Sequence, residues 1–124
     1  MDRHNIELGK AGERLANEFL KKLGYRILFN NYRSSLGEVD IVARDKDTIC
    51  FIEVKTRSSK EFGLPQESVT RQKQRKLSRL ATAFLKEKNL LDESARFDVV
   101  SVLLTQDKKE PEIEIFKNAF SLED

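Results

Sequence analysis

Asp40, Glu53 and Lys55 are the residues whose types and spacing carry chemistry in this chain. They stand in two runs, Gly37-Glu38-Val39-Asp40-Ile41-Val42-Ala43-Arg44 and Thr48-Ile49-Cys50-Phe51-Ile52-Glu53-Val54-Lys55-Thr56-Arg57. Both runs are strand-length and rich in Val, Ile and Phe, and Asp45-Lys46-Asp47 joins them, so the stretch reads as a β-hairpin. Side chains on a strand alternate faces, which puts Glu38, Asp40 and Val42 on one face and Phe51, Glu53 and Lys55 on one face. If Ala43 pairs with Cys50, Asp40 falls opposite Glu53 and Glu38 opposite Lys55, with opposed Cβ atoms about 5 Å apart. Two carboxylates that close repel each other, and burial adds to the cost, unless a cation lies between them. A divalent metal supplies that cation. A one-residue slip in pairing sends Asp40 and Glu53 to opposite faces, so the reading is a structural claim. The competing reading is an ion-pair network on an exposed strand face.

These residues need elements to hold them. The chain has 124 residues, enough for one domain with a proper core, and its 39% hydrophobic and 35% charged content suits a solvated globular protein. No apolar run approaches the length of a membrane span, and the N-terminal residues lead into a polar helix and not a signal peptide, so a cytoplasmic protein is expected. The single cysteine, Cys50, permits no internal disulfide and reads as a small buried hydrophobe. A net charge of +2 does not announce nucleic-acid binding, so any anionic partner must meet a local patch.

Asn5 to Leu23 has helical periodicity, with Gly24 placed to end the helix. Glu13 borders its apolar stripe, either as a solvated glutamate favoured by the helix dipole or, if Gly9 and Gly12 allow close approach to the sheet, beside the acidic cluster. Tyr25 to Asn30 is a short strand, Asn31 to Leu36 a polar loop, and Ser58 to Leu64 a loop leaving the candidate site. Pro65 suits the first turn of a second helix running to about Lys88, and strands follow at Phe97 to Leu104 and Ile113 to Phe116. The expected fold is α/β, a mixed sheet flanked by helices in the order α-β-β-β-α-β-β. On the second helix Arg71, Arg75 and Arg79 form a ridge opposite Leu77, Leu80 and Phe84, read as a solvated face or as a phosphate-backbone contact. Lys73 lies in line with the apolar residues, so it snorkels past the core or reaches a buried anion. Asp98 is expected to be a structural partner for Arg96 or Arg57.

Asp40 followed by Glu53-Val54-Lys55 on adjoining strands, after a helix bearing Glu13, resembles the PD-(D/E)xK nuclease superfamily. More narrowly, Gly12-Glu13, Gly37-Glu38-Val39-Asp40, Phe51 to Arg57, Lys73, Arg96-Phe97-Asp98-Val99-Val100 and Asn118-Ala119-Phe120 resemble the YraN-like family of proposed bacterial endonucleases, over nearly the whole chain. Val39 stands where the superfamily name has proline. The resemblance implies a restriction-endonuclease-like fold, similar to Holliday-junction resolvases, and a Mg²⁺- or Mn²⁺-dependent endonuclease acting on DNA, with a place in repair or recombination. It implies Asp40 and Glu53 as metal ligands with the Val54 carbonyl, and Glu13 and Glu38 as outer or second-metal ligands. Lys55 would orient or polarise the attacking water, protonated until substrate binds. Thr56, Arg57 and Lys73 would hold phosphates. Branched or distorted DNA is the expected substrate, because no helix-turn-helix or zinc-finger pattern is visible. Symmetric cutting of a four-way junction would need a homodimer. The alternative is a non-catalytic nucleic-acid-binding module that keeps the fold.

Overall fold

The computed structural model describes residues 3–58, 69–105 and 110–121, and the side chains from residue 6 onward. The elements run α1 (Arg3–Lys22), β1 (Arg26–Ser34), β2 (Gly37–Asp45), β3 (Thr48–Arg57), α2 (Arg71–Glu87), β4 (Ser94–Leu103) and β5 (Glu112–Phe120). This is the expected order. The strands form one sheet in sequence order, β1-β2-β3-β4-β5, antiparallel throughout except for the parallel β3–β4 pair. A parallel pair needs a crossover, and α2 is carried on that connection.

The alternation of side chains along the strands builds two cores, one on each side of the sheet. Leu77, Leu80, Ala81 and Phe84 of α2 pack with Val42, Phe51, Phe97 and Val99. Ala16 and Leu20 of α1 pack with Ile41, Cys50, Ile52, Val100 and Val102. The result is three layers, helix on sheet on helix. On the α2 side Phe84 meets Phe29, Tyr32 and Phe51 edge-on at centroid distances of 5.2 to 5.7 Å, and Phe97 stacks on Phe120 at 4.6 Å. Such pairs add to the area they bury, and here they tie both edge strands to α2 and the centre of the sheet.

Local signals set the helix ends. Gly24 takes a left-handed φ of 95°, and the Tyr25 N–H reaches back to the Leu20 carbonyl at 2.9 Å, which ends α1 where the glycine was expected to end it. α2 begins later than Pro65 suggests. Its N-cap is Thr70, whose hydroxyl accepts from the Lys73 N–H at 3.2 Å, and Pro65 lies outside the described residues, as does most of the Ser58 to Leu64 loop. The strands overrun their expected limits. Asn31 to Ser34 continues β1 where a loop was expected, because Tyr32 pairs with Val39 and packs on Phe84. β4 opens at Ser94, and β5 extends to Phe120 through a bulge. At that bulge Asn118 adopts a φ of 55° and donates its N–H to the buried Asp98 carboxylate at 2.9 Å. Among the described residues no helix is long and apolar enough to cross a membrane.

Candidate active site at the β2–β3 fork

The hairpin adopts the register with Ala43 opposite Cys50, and its ladder runs from Asp45–Thr48 to Ile41–Ile52. There it stops, one step short of the expected Asp40–Glu53 pair. The Asp40 side chain takes over from the ladder: its Oδ2 accepts the Val54 N–H at 2.8 Å. A regular alternation is also interrupted here, since Val39 packs in the α2-side core and Ile41 in the α1-side core although they lie two residues apart. Asn31 stands opposite Asp40 in the β1–β2 register, and its φ of 51° is left-handed. Asparagine tolerates that conformation better than other chiral residues, so the irregularity has a sequence cause. It leaves Asp40 where the β2–β3 ladder opens, with Glu53 and Glu13 as charge neighbours.

Glu53 is the most constrained group. It is 5% exposed, and burial first, then the Asp40 charge, push its carboxyl up to about 7. Lys73 opposes this shift, with its Nζ 3.2 Å from Glu53 Oε2. Thr70 starts α2 so that Lys73, Leu77, Leu80 and Phe84 look down on β3, and Lys73 reaches the buried anion from the first turn. For Lys73 itself, burial acts to lower the pKa, but the Glu53 charge and hydrogen bonds with Lys55 and Glu53 outweigh it and the net direction is up. Lys55 goes the other way. Burial and the adjacent Lys73 lower its pKa, while Glu53 and Asp40 act in the raising direction, as the carboxylates were expected to.

Glu13 comes to the fork from the opposite face. Gly12 makes that possible, because a Cβ there would sit 1.8 Å from Thr56 Oγ1. Glu13 is raised above its usual range by burial and by Asp40, while Asn31 Nδ2, 3.5 Å from its Oε2, acts to lower it. Asn31 is the site neighbour that sequence reasoning missed; the Asn30-Asn31 pair inside an extended segment was its only signal. The remaining expected residues divide. Glu38 is exposed and pairs outward with Arg33 at 3.0 Å. Thr56 faces α1, away from Glu53, and Arg57 lies at the end of β3 on the Glu53 face. Arg71, Arg75 and Arg79 lie exposed on α2, opposite its buried residues. Asp98 is fully buried and held by Arg96 at 3.0 and 3.1 Å, a structural pairing.

Among the described residues no group of three or more His, Cys, Asp or Glu side chains is gathered closely enough to hold a metal ion. The donors at the fork are nevertheless of the right kind for a hard cation. Mg²⁺ retains several waters and needs only one or two protein carboxylates. Asp40 and Glu53 supply two, and the carboxyl of Glu53 is raised first by burial and then by the Asp40 charge beside it.

A family model described as "Uncharacterised protein family UPF0102" matches residues 12–102, the span that contains Glu13, Asp40, Glu53, Lys55 and Lys73. A UPF0102 protein of Caldicellulosiruptor saccharolyticus is 49% identical over 114 residues, covering 92% of this chain and 97% of its own. A UPF0102 protein of Trichlorobacter lovleyi is 51% identical over 119 residues, covering 95% and 93%. One from Geobacter sulfurreducens is 50% identical over 120 residues, covering 96% and 92%.

Proposed function

The chain belongs to the uncharacterised protein family UPF0102, and we propose that it is a metal-dependent endonuclease that hydrolyses phosphodiester bonds in branched or otherwise structured DNA. The observation that carries the reading is Glu53: a carboxylate buried beside Asp40 at the open end of a ladder, with two lysines within its field. A strand that needed only stability would place an apolar residue there, since a buried ion pair contributes little over a hydrophobic replacement.

Asp40, Glu53 and the Val54 carbonyl are the groups that would hold a divalent cation, with Glu13 on the outer side. When bound, such an ion neutralises charge on the attacked phosphate and acidifies a water. Asp40 is oriented for this by its hydrogen bond to Val54, which fixes the carboxylate at 2.8 Å from the strand it must act with. Lys55, whose pKa burial and Lys73 lower, orients or polarises the attacking water at Nζ. Lys73 carries the compensating positive charge and turns from Glu53 to a phosphate oxygen. The exposed Arg71, Arg75 and Arg79 contact the backbone of the same DNA without reading sequence.

Cleavage of labelled four-way, flap, single-stranded and linear duplex DNA, with Mg²⁺ or Mn²⁺, tests the reading. Metal-dependent cutting that is lost in folded Glu53→Ala and Lys55→Ala proteins is expected. A second reading, a DNA-binding module without turnover, is favoured by the Lys73–Glu53 ion pair, which gives the buried carboxylate a positive partner without a metal. Intact substrates together with undiminished DNA binding in both variants would establish it instead.

A further inference from the structure

We infer that the cavity between the start of β2 and the first turns of α2 receives one unstacked nucleotide of the DNA strand. The inference rests on the nucleic-acid reading above and names the substrate feature that reading leaves open. The cavity holds about 420 Å³ and is lined by Gly37 and Glu38 on one side and by Gln72, Lys73, Lys76 and Leu77 on the other. That volume lies in the range of sites for whole small molecules and exceeds what a hydrated ion or a lone phosphate needs. Its lining divides as the parts of a nucleotide do. Leu77, almost wholly buried, closes the cavity on the core side, and the aliphatic stems of Lys73 and Lys76 border the space for the face of a base. Glu38 and Gln72 offer acceptors and a donor for its edge. Lys73 and Lys76, one turn apart, flank a backbone phosphate. At Gly37 the space a Cβ would take is open, with no atom within 4 Å.

The cavity also communicates with the fork, because Lys73 belongs to both: it lines the cavity and stands 3.2 Å from Glu53. A nucleotide seated here brings its own phosphate to the carboxylates. Within a continuous duplex each base must first be unpaired and unstacked at a cost of a few kcal/mol, a cost that is least where pairing is already broken. Bulges, flaps, junction centres and strand ends therefore enter most readily. Preference for structured DNA then follows without any motif that reads base sequence.

The test uses the full chain and 2-aminopurine, an adenine analogue whose fluorescence is quenched by stacking, placed at a single-nucleotide bulge, at a strand end or within continuous duplex. A chelator keeps the DNA whole, and the anisotropy of a distant dye reports affinity. A several-fold fluorescence rise on binding is expected at the bulge and not in the continuous duplex. Gln72→Trp, which fills the cavity from an exposed helix position, should abolish the rise and weaken bulge binding several-fold by excluding the base. Lys76→Ala should weaken bulge binding more than duplex binding. A rise confined to the strand end supports the inference with a terminal nucleotide as occupant. No rise at either the bulge or the strand end, or a rise that survives Gln72→Trp, overturns it. Mg²⁺-dependent cleavage of the same duplexes separates the two readings: cutting without a seated base removes the cavity's role and leaves the nuclease, and a seated base without cutting does the reverse.

Discussion

At the residue scale the decisive quantity is the charge on Glu53. Its carboxyl titrates near 7 in the folded protein against an ordinary value of 4.5, so between those limits the native chain holds more protons than the unfolded one. Stability therefore falls as pH rises through that window, by up to about 3 kcal/mol. Glu53→Gln does not titrate. In chelator, the unfolding free energy of the parent chain relative to Glu53→Gln should decline from pH 4.5 to about 7.5 and then level, and saturating Mg²⁺ should remove the decline by favouring the ionised form; a pH-independent difference would show the carboxyl to be unperturbed. The Ala43–Cys50 register was legible in the sequence because the hairpin's apolar pattern fixes it, although the ladder opens before the expected Asp40–Glu53 pair. The role of Asn31 was not. It depends on one left-handed residue and on where α1 lies, and neither leaves a periodic trace.

At the scale of elements, the packing of α1 on β3 is what delivers Glu13. The Gly12 backbone lies directly against Thr56, and a Cβ at position 12 would meet Thr56 Oγ1 at 1.8 Å and both Thr56 Cβ and Cγ2 at 2.8 Å. Gly12→Ala should cost about 1–3 kcal/mol by overpacking, despite the better helix propensity of alanine. Thr56→Ala should recover part of that loss in the double variant, since it removes the two γ atoms and leaves Cβ in place. A double-mutant cycle measured by chemical denaturation checks the coupling, and additive effects would mean that α1 simply shifts. The order of elements could be read from periodicity alone, and it was. Their limits could not, because Thr70 and not Pro65 sets the start of α2, and because β1 continues past Asn30 for the sake of Tyr32 and its contact with Phe84. Hydroxyl caps and long-range aromatic contacts are decided by tertiary structure.

At the scale of the whole molecule, the sheet is fastened at the end of the hairpin remote from the fork. Arg96 bonds Asp98 on its own strand, Asp45 at the β2–β3 turn and the Tyr25 hydroxyl after α1, the last two at 2.7 Å. One guanidinium thus joins three stretches of chain, and Asp98, which also holds the β5 bulge, has no exposure at all. Arg96→Ala leaves that carboxylate buried beside the Tyr25 hydroxyl and should cost about 3–5 kcal/mol in denaturant unfolding. Asp45 is held below the usual carboxylate range mainly by its hydrogen bond from Arg96, so its contribution is present above the ordinary value of 3.8 and is lost as pH falls below it. The sequence suggested the Arg96–Asp98 pair from proximity on one strand. Tyr25 and Asp45 were hidden, because only the finished sheet brings the end of the hairpin to the start of β4.

On the proposed function, the ion pair between Lys73 and Glu53 implies cooperativity between metal and DNA. Asp40, Glu53, Lys55 and Lys73 carry formal charges that cancel, so the fork is balanced before anything binds. A divalent ion arriving alone leaves a surplus of positive charge, and a phosphate arriving alone faces two carboxylates. Arriving together they offset each other in large part, and by thermodynamic reciprocity each must strengthen the other's binding by the same factor. Titration of Mn²⁺ with and without an uncleavable phosphorothioate duplex should show an affinity gain of about tenfold, matched by the gain in DNA affinity when Mn²⁺ is present. In Lys73→Ala, where one positive charge is already missing, the metal should bind alone with less need of DNA and the gain should shrink. The protein would then act as a coincidence detector, closing its chemistry to either ligand that comes without the other.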